Sequence, residues 1–260
     1  MLHVTDALPN QILSPVDGPV SEVVNPGGGA SVCLVCEHAS AAIPSSLGAL
    51  GLADDDRYSH AVWDPGAEAL ARKMSAHLDA PLVLSRVSRL VYDCNRPSDR
   101  ADAMPVKTEA IELPGNHNLS EAHKAARIRE IYTAFHESVS NTLDTFNRPP
   151  VFVTIHSFTP LWFGTERPTQ IGLLHDDDPT LAKSMMAAAD PAFRTELNQP
   201  YSAKDGVTHT LAKHATARGL SNVMIEIRND LLTTDDQVAR IANTLTQMLT
   251  RALSNGAHAA

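Results

Sequence analysis

The sequence predicts an α/β fold with a mostly parallel central sheet and helices on both faces. Three observations lead there. Short continuous apolar runs, above all 31–36 and 151–155, have the length and composition of strands buried on both sides. Longer segments with apolar residues three and four apart alternate with those runs. Charged and polar residues suited to chemistry stand at or just past three strand-like runs, at the sheet edge where an open parallel sheet gathers its catalytic groups.

The chain has 260 residues, 43% hydrophobic and 20% charged, ordinary values for a globular protein with an ample core. A formal charge of -9 excludes a nucleic-acid backbone as partner, because phosphate contacts need clustered Lys and Arg. No window reaches the roughly 20 apolar residues of a membrane span. The start, Met1-Leu2-His3-Val4-Thr5-Asp6, lacks the basic-then-apolar order of an export signal. Three cysteines, Cys33, Cys36 and Cys94, cannot all pair with one another, and the expectation is a reduced, cytoplasmic protein.

Residues 1–30, with four prolines and Gly27-Gly28-Gly29, read as an irregular lead-in; 31–254 read as one catalytic domain and 255–260 as a tail. The first strand is 31–36. Asp64-Pro65 opens a helix through Leu70 and Met74, since aspartate caps and proline suits the first turn. Residues 81–84 and 89–92 read as two further strands. The stretch 97–118 is longer than an ordinary connection, which favours a functional loop. Ser120 caps a helix striped by Ile128, Ile131, Tyr132, Phe135, Val139 and Leu143. Strands follow at 151–155 and 170–174, then helices opened by Asp178-Pro179 and over 207–217. The last strand is 222–225, and a final helix from about Thr234 carries Val238, Ile241, Leu245, Met248 and Leu249.

The chemistry-bearing residues follow this frame. His38 directly follows the first strand, and Glu37 beside it makes a carboxylate–imidazole pair that is costly to bury without purpose. His156 leaves the clearest strand, and Glu226 leaves the last one. Two histidines and a late glutamate are the parts of a hydrolytic zinc site: nitrogen ligands, and a carboxylate that takes a proton from water. Asp64 taken alone reads first as a helix cap and second as a ligand. Arg89, Arg96 and Arg228 are candidate carboxylate clamps, because a guanidinium grips a carboxylate through two parallel hydrogen bonds. Asn95 is a candidate donor to an oxyanion. Pro114-Gly115-Asn116 reads as a turn first and a substrate loop second. A thiol hydrolase built on Cys36 or Cys94, with His38 as base, is a rival chemistry.

Six motifs in order give a resemblance over about Ser31 to Leu249. They are Cys36-Glu37-His38-Ala39, Trp63-Asp64-Pro65-Gly66-Ala67, 88–97 with its Asn95-Arg96-Pro97, Pro114-Gly115-Asn116, His156-Ser157-Phe158-Thr159-Pro160 and Glu226-Ile227-Arg228-Asn229-Asp230. As a series they resemble the N-formylglutamate amidohydrolase family, itself distantly similar to zinc carboxypeptidases. The resemblance implies a phosphorylase/hydrolase-like fold with one zinc per subunit. It implies zinc on His38 and His156, Glu226 as general base, and Asn95 and Arg96 as the substrate-binding pair, with Ser157 and Asn116 in the substrate motifs. The carboxypeptidase pattern has Glu three residues after the early histidine, where this chain has Ala41. Asp64 is therefore expected as the carboxylate ligand, with Glu37 as the alternative. The implied reaction is hydrolysis of the amide of a small anionic N-acyl amino acid, N-formyl-L-glutamate foremost, to formate and glutamate. A peptidase or peptidoglycan amide hydrolase on the same fold, and a metal-free protein binding an acidic ligand, are the rival readings.

Overall fold

The computed structural model describes residues 11–109 and 111–257. In chain order its elements are β1 (Ser21–Val24), β2 (Val32–Cys36), α1 (Ala67–Leu78), β3 (Leu82–Ser85), β4 (Lys107–Thr108), β5 (Ile111–Glu112), α2 (Glu121–Arg127), α3 (Ala134–Leu143), β6 (Val151–Phe158), β7 (Leu161–Trp162), β8 (Thr165–Glu166), β9 (Ile171–Leu174), α4 (Thr180–Ala187), β10 (Thr195–Leu197), β11 (Asn222–Arg228) and α5 (Asp235–Ala257). A wider helical turn over Ile128–Thr133 joins α2 to α3.

Seven strands form one sheet in the order β1-β3-β2-β6-β11-β9-β10. The four central strands β3, β2, β6 and β11 are mutually parallel. β1 and β9 run antiparallel to their inner neighbours, and β10 is parallel to β9. The sheet is thus mostly parallel, as the apolar runs predict.

Alternation along each strand explains why those runs are apolar throughout. On β2, Leu34 and Cys36 face one core cluster, and Cys33 and Val35 face the other. The first cluster packs α1, α4 and α5 through Leu70, Met74, Leu181, Met185, Ile241 and Leu245. The second receives Ile131, Phe135 and Val139 from the opposite helical layer, together with Leu211. Ser120 caps α2 as expected, its hydroxyl accepting from the His123 amide at 3.2 Å.

Several expectations are corrected. The lead-in is not wholly irregular, because Ser21–Val24 pairs antiparallel with β3 as an edge strand. The long loop contains the β4–β5 hairpin, and β10 at the far edge was not anticipated. The stretch 89–92 is not a strand. Its carbonyls are met by side chains instead: the buried Asn116 amide donates to Leu90 O at 2.9 Å, and the buried Arg127 guanidinium donates to Val91 O at 3.0 Å. An apolar run that packs into the core without a neighbouring strand reads like a strand in sequence. β6 and β11 also run past the predicted ends, so His156 and Glu226 lie inside strands. No helix among the described residues is long and apolar enough to cross a membrane.

Phe152 is fully buried on β6 where the second cluster meets the sheet. Phe152→Ala should lower unfolding free energy by about 3–5 kcal/mol. Denaturant melts that show less than about 1 kcal/mol would contradict this packing.

Candidate active site

The site follows from strand order. β2 lies between β3 and β6. From β2 the chain departs through α1 to β3 on one side, and β6 is added on the other. Loops leaving neighbouring carboxyl ends therefore diverge, and the gap between them is where ligands bind in open α/β sheets. A crevice of about 1140 Å³ opens there and reaches His38, Asp64, His156 and Glu226 at its floor.

His38 leaves β2. His156 is on β6, and Glu226 is its direct neighbour on β11. Asp64 arrives from the loop before α1, and this loop is pinned to the site. The Asp64 amide donates to His38 O at 2.9 Å, and the Ser157 hydroxyl donates to Pro65 O at 2.8 Å. Gly66 completes the turn at φ +80, where a Cβ would stand 2.4 Å from Leu232 Cβ, so only glycine fits. Asp64 does not cap α1 with its side chain. Its carboxylate turns inward and accepts from the Ser157 amide at 3.2 Å. The cap reading therefore fails for its side chain, which faces the two histidines instead.

Three donor atoms meet at one point. His38 Nδ1 and His156 Nδ1 are 3.2 Å apart, and Asp64 Oδ2 is 3.1 Å from His156 Nδ1 and 3.4 Å from His38 Nδ1. Three corners of a tetrahedron with bonds of roughly 2.0–2.1 Å stand about 3.3–3.4 Å apart. All three residues are buried, and together they form a group that could hold a metal ion.

The outer nitrogen of each ring faces a second carboxylate. His38 Nε2 bonds Asp93 Oδ1 at 2.7 Å. Glu37 Oε2 lies 3.0 Å from His156 Nε2, at an angle that leaves both atoms without a formed hydrogen bond. A carboxylate behind a histidine draws the ring proton to the outer nitrogen and bares the inner one. With protons on the outer side, two lone pairs and a carboxylate oxygen converge with no hydrogen between them. That donor set fits a cation. Glu37, expected as the alternative ligand, stands behind His156.

Charge around the cluster is lopsided. Burial pushes each carboxyl up, but the adjacent histidines and Arg89 outweigh it, holding Asp64 and Asp93 well below the usual carboxylate range. For Glu37 burial is likewise outweighed, chiefly by His156, and its pKa falls to about 2. The histidines are pushed down by burial yet end raised: Asp93 and Asp64 act on His38, Glu37 and Asp64 on His156. Arg89 bridges Asp64 Oδ1 at 3.2 Å and Asp93 Oδ2 at 2.9 Å. Glu226 is the exception. Burial dominates, lifting it to about 7, and its Oε2 has no partner.

The remaining expected residues are placed as follows. Arg96 and Asn95 line the crevice. Arg96 donates to Asn95 O at 2.9 Å and Gly206 O at 3.1 Å, and pairs with Asp102 at 3.2 Å. The Asn95 amide clamps the loop near Val207, accepting from the Thr210 amide at 3.0 Å. Ser157 lines the wall. Arg228 is paired with Asp230 at 2.8 Å and is not among the crevice residues. Asn116 is away from the crevice, bound to Leu90 O, Pro105 O and Arg127. The thiol reading fails physically: Cys36 and Cys94 are fully buried, and burial raises both thiols well above their ordinary range.

Arg167 and Tyr201 also line the crevice. Neither was marked as a site residue in the sequence: Tyr201 lies in the irregular segment between β10 and β11, and Arg167 directly follows β8, a two-residue strand too short to be read as a strand in sequence.

The family model for N-formylglutamate amidohydrolase matches residues 30–233. The gene product Atu2144 from Agrobacterium tumefaciens is 47% identical in sequence, with a TM-score of 0.92, over 94% of this chain and 99% of that one. The N-formylglutamate amidohydrolase from Ralstonia eutropha JMP134 shares the fold at a TM-score of 0.64 and 17% identity, over 90% of this chain and 97% of that one. No curated protein matches. Strand order, the buried His–Asp–His group and the match over most of the chain lead to one conclusion: this protein belongs to the N-formylglutamate amidohydrolase family.

Proposed function

We propose that this protein is a zinc-dependent amidohydrolase that cleaves the amide of a small N-acylated amino acid, with N-formyl-L-glutamate as the leading substrate. The convergence of His38 Nδ1, His156 Nδ1 and Asp64 Oδ2 at tetrahedral spacing carries the reading. Family membership supplies the amide chemistry. The acyl group and the acid are carried over from the name of the Ralstonia protein.

His38, Asp64 and His156 would hold the ion. A nitrogen-rich set with one carboxylate suits zinc better than the oxygen-seeking calcium or magnesium. When bound, zinc supplies a Lewis acid that polarises a carbonyl and lowers the pKa of water. The chain's own residues do the rest. Glu226, ionised, takes a proton from the attacking water and passes it to the departing amine, so one water is consumed and a carboxylate and an amine leave. The pKa near 7 that burial gives Glu226 suits a group that must both accept and release a proton. Arg96 Nη2, the end of that guanidinium not held by Gly206 or Asp102, is a donor toward the developing oxyanion. Asp93 and Glu37 keep the two rings in register. Three free, buried cysteines fit a reducing cytoplasm.

A peptide-sized substrate is the second reading. One observation favours it: the crevice of about 1140 Å³ exceeds the roughly 300–1,000 Å³ of ordinary small-molecule sites.

Purified protein loaded with zinc and tested on N-formyl, N-acetyl and dipeptide substrates decides between these readings. Glu226→Gln should retain zinc and lose at least about a hundredfold in kcat, since the amide keeps the shape but accepts no proton. Near-normal kcat would remove Glu226 from the role.

The pH dependence has a fixed sign. Glu226 works only when deprotonated, so kcat/KM should fall as pH drops through its pKa. A nearby cation lowers that pKa, which puts the acid limb at or below about 7. An acid limb that survives unchanged in Glu226→Gln would contradict the assignment.

Asp93→Asn keeps the shape of the side chain but removes the negative charge that holds a proton on His38 Nε2. Zinc affinity should drop by about 10–100-fold in competition with a chelator. Wild-type affinity in that variant would show that Asp93 does not orient His38.

A further inference from the structure

The positive groups that line the crevice can be accounted for one by one. Arg89 is bound to Asp64 and Asp93, and Arg96 to Asp102. Lys107 is bound to Glu112, Arg194 to Glu196 and His60 to Glu109. Arg167 alone among these lining cations has no carboxylate partner among the described residues. Its Nη1 donates to the Tyr201 hydroxyl at 3.0 Å.

The surroundings of Arg167 hold it without neutralising it. Its guanidinium carbon stands 4.6 Å from the Trp162 ring centre, 4.9 Å from that of Tyr201 and 5.7 Å from that of Phe158. Rings at such distances attract a cation through their electron-rich faces and displace its water. From below, Arg228 Nη1 donates to Arg167 O at 3.0 Å, and Arg228 is itself locked by Asp230. Arg228 therefore serves as a brace under the candidate clamp. A partly dried, unpaired guanidinium fixed in place attracts a carboxylate more strongly than one in open water.

Its position suits the reaction. Phe158 is two residues beyond His156 on β6, so the two side chains share a face about 7 Å apart along the strand. Phe158 and Arg228 are register partners one such step outward from the His156–Glu226 pair. The cage thus stands one strand repeat from the ligand cluster, on the same crevice wall. An amino acid whose amide lies at the cluster can extend a carboxylate over that distance.

We propose that Arg167, caged by Phe158, Trp162 and Tyr201, is the subsite that takes a carboxylate of the substrate and selects acidic N-acyl amino acids over neutral ones. The assignment rests on the amidohydrolase reading for its substrate class, and on geometry for its location. It moves the carboxylate clamp away from Arg89 and Arg228, whose charges are committed elsewhere.

The test uses zinc-loaded full-length protein and two probes that lack the N-acyl group, glutarate and its neutral diamide glutaramide, titrated calorimetrically with absence of ammonia release checked so that the diamide stays intact. Wild type should bind glutarate more tightly than glutaramide. Arg167→Met should weaken glutarate by about tenfold or more and leave glutaramide unchanged. Arg167→Lys keeps the charge and loses the two-pronged contact, so it should fall between them. Trp162→Ala, on a partly exposed wall of the cage, should weaken glutarate by a smaller factor, and Arg194→Met should do nothing. Equal glutarate affinity in wild type and Arg167→Met overturns the assignment, as does a wild type that does not distinguish the two probes. Should Arg167→Met fail to fold, unchanged affinity in Arg167→Lys is the overturning result. Glutarate selectivity without turnover of any N-acyl amino acid would refute the hydrolase reading and leave the subsite standing. Turnover of N-formylglutamate with unchanged KM in Arg167→Met would do the reverse.

Discussion

Four buried carboxylates, Glu37, Asp64, Asp93 and Glu226, crowd around two imidazoles and a single partly buried guanidinium, Arg89. Such an excess of negative charge cannot be left uncompensated in a low-dielectric interior. Arg89 neutralises part of it. The histidines answer the rest only by taking up protons or by facing a cation. The ring nitrogens decide how, because each outer nitrogen already faces its own carboxylate and each inner one faces Asp64. A divalent ion between the inner atoms would satisfy all three donors at once. Glu226, one strand over, keeps an unpartnered oxygen and is the carboxyl that burial raises.

The architecture supplies this arrangement through ordinary rules. Parallel strands bring β2, β6 and β11 to a common edge, and the reversal of strand order at β2 opens the crevice. The turn at Gly66 aims Asp64 inward. A buried scaffold of Asn116 and Arg127 holds the segment that presents Asp93 and Asn95, replacing the missing strand neighbour with side-chain hydrogen bonds. Asn116 therefore serves the site from a distance, as a strut.

Much of this was legible in the sequence, and the limits have physical causes. Continuous apolar runs gave the parallel strands because burial on both faces leaves no polar position. His38, His156 and Glu226 were legible because polar groups ending such runs must lie at the crevice. Asp64 was ambiguous, since Asp before Pro reads first as a cap and second as a ligand, and it is the Gly66 turn that carries its carboxylate into the crevice. The stretch 89–92 was misread because core packing, with or without strand pairing, selects the same residues. Among the arginines, sequence could mark which stand near strand ends but not which are already paired. That is why Arg228 looked like a clamp and Arg167, just past the two-residue strand β8, went unmarked.

The most direct measurement of the central claim is X-ray absorption at the zinc edge on zinc-loaded protein. The account predicts a first shell of nitrogen and oxygen at roughly 2.0–2.1 Å with the outer-ring scattering of two imidazoles, and Asp64→Asn should alter the first shell while that outer scattering persists. A shell containing sulfur at roughly 2.3 Å, or a protein that takes up no zinc, would contradict it.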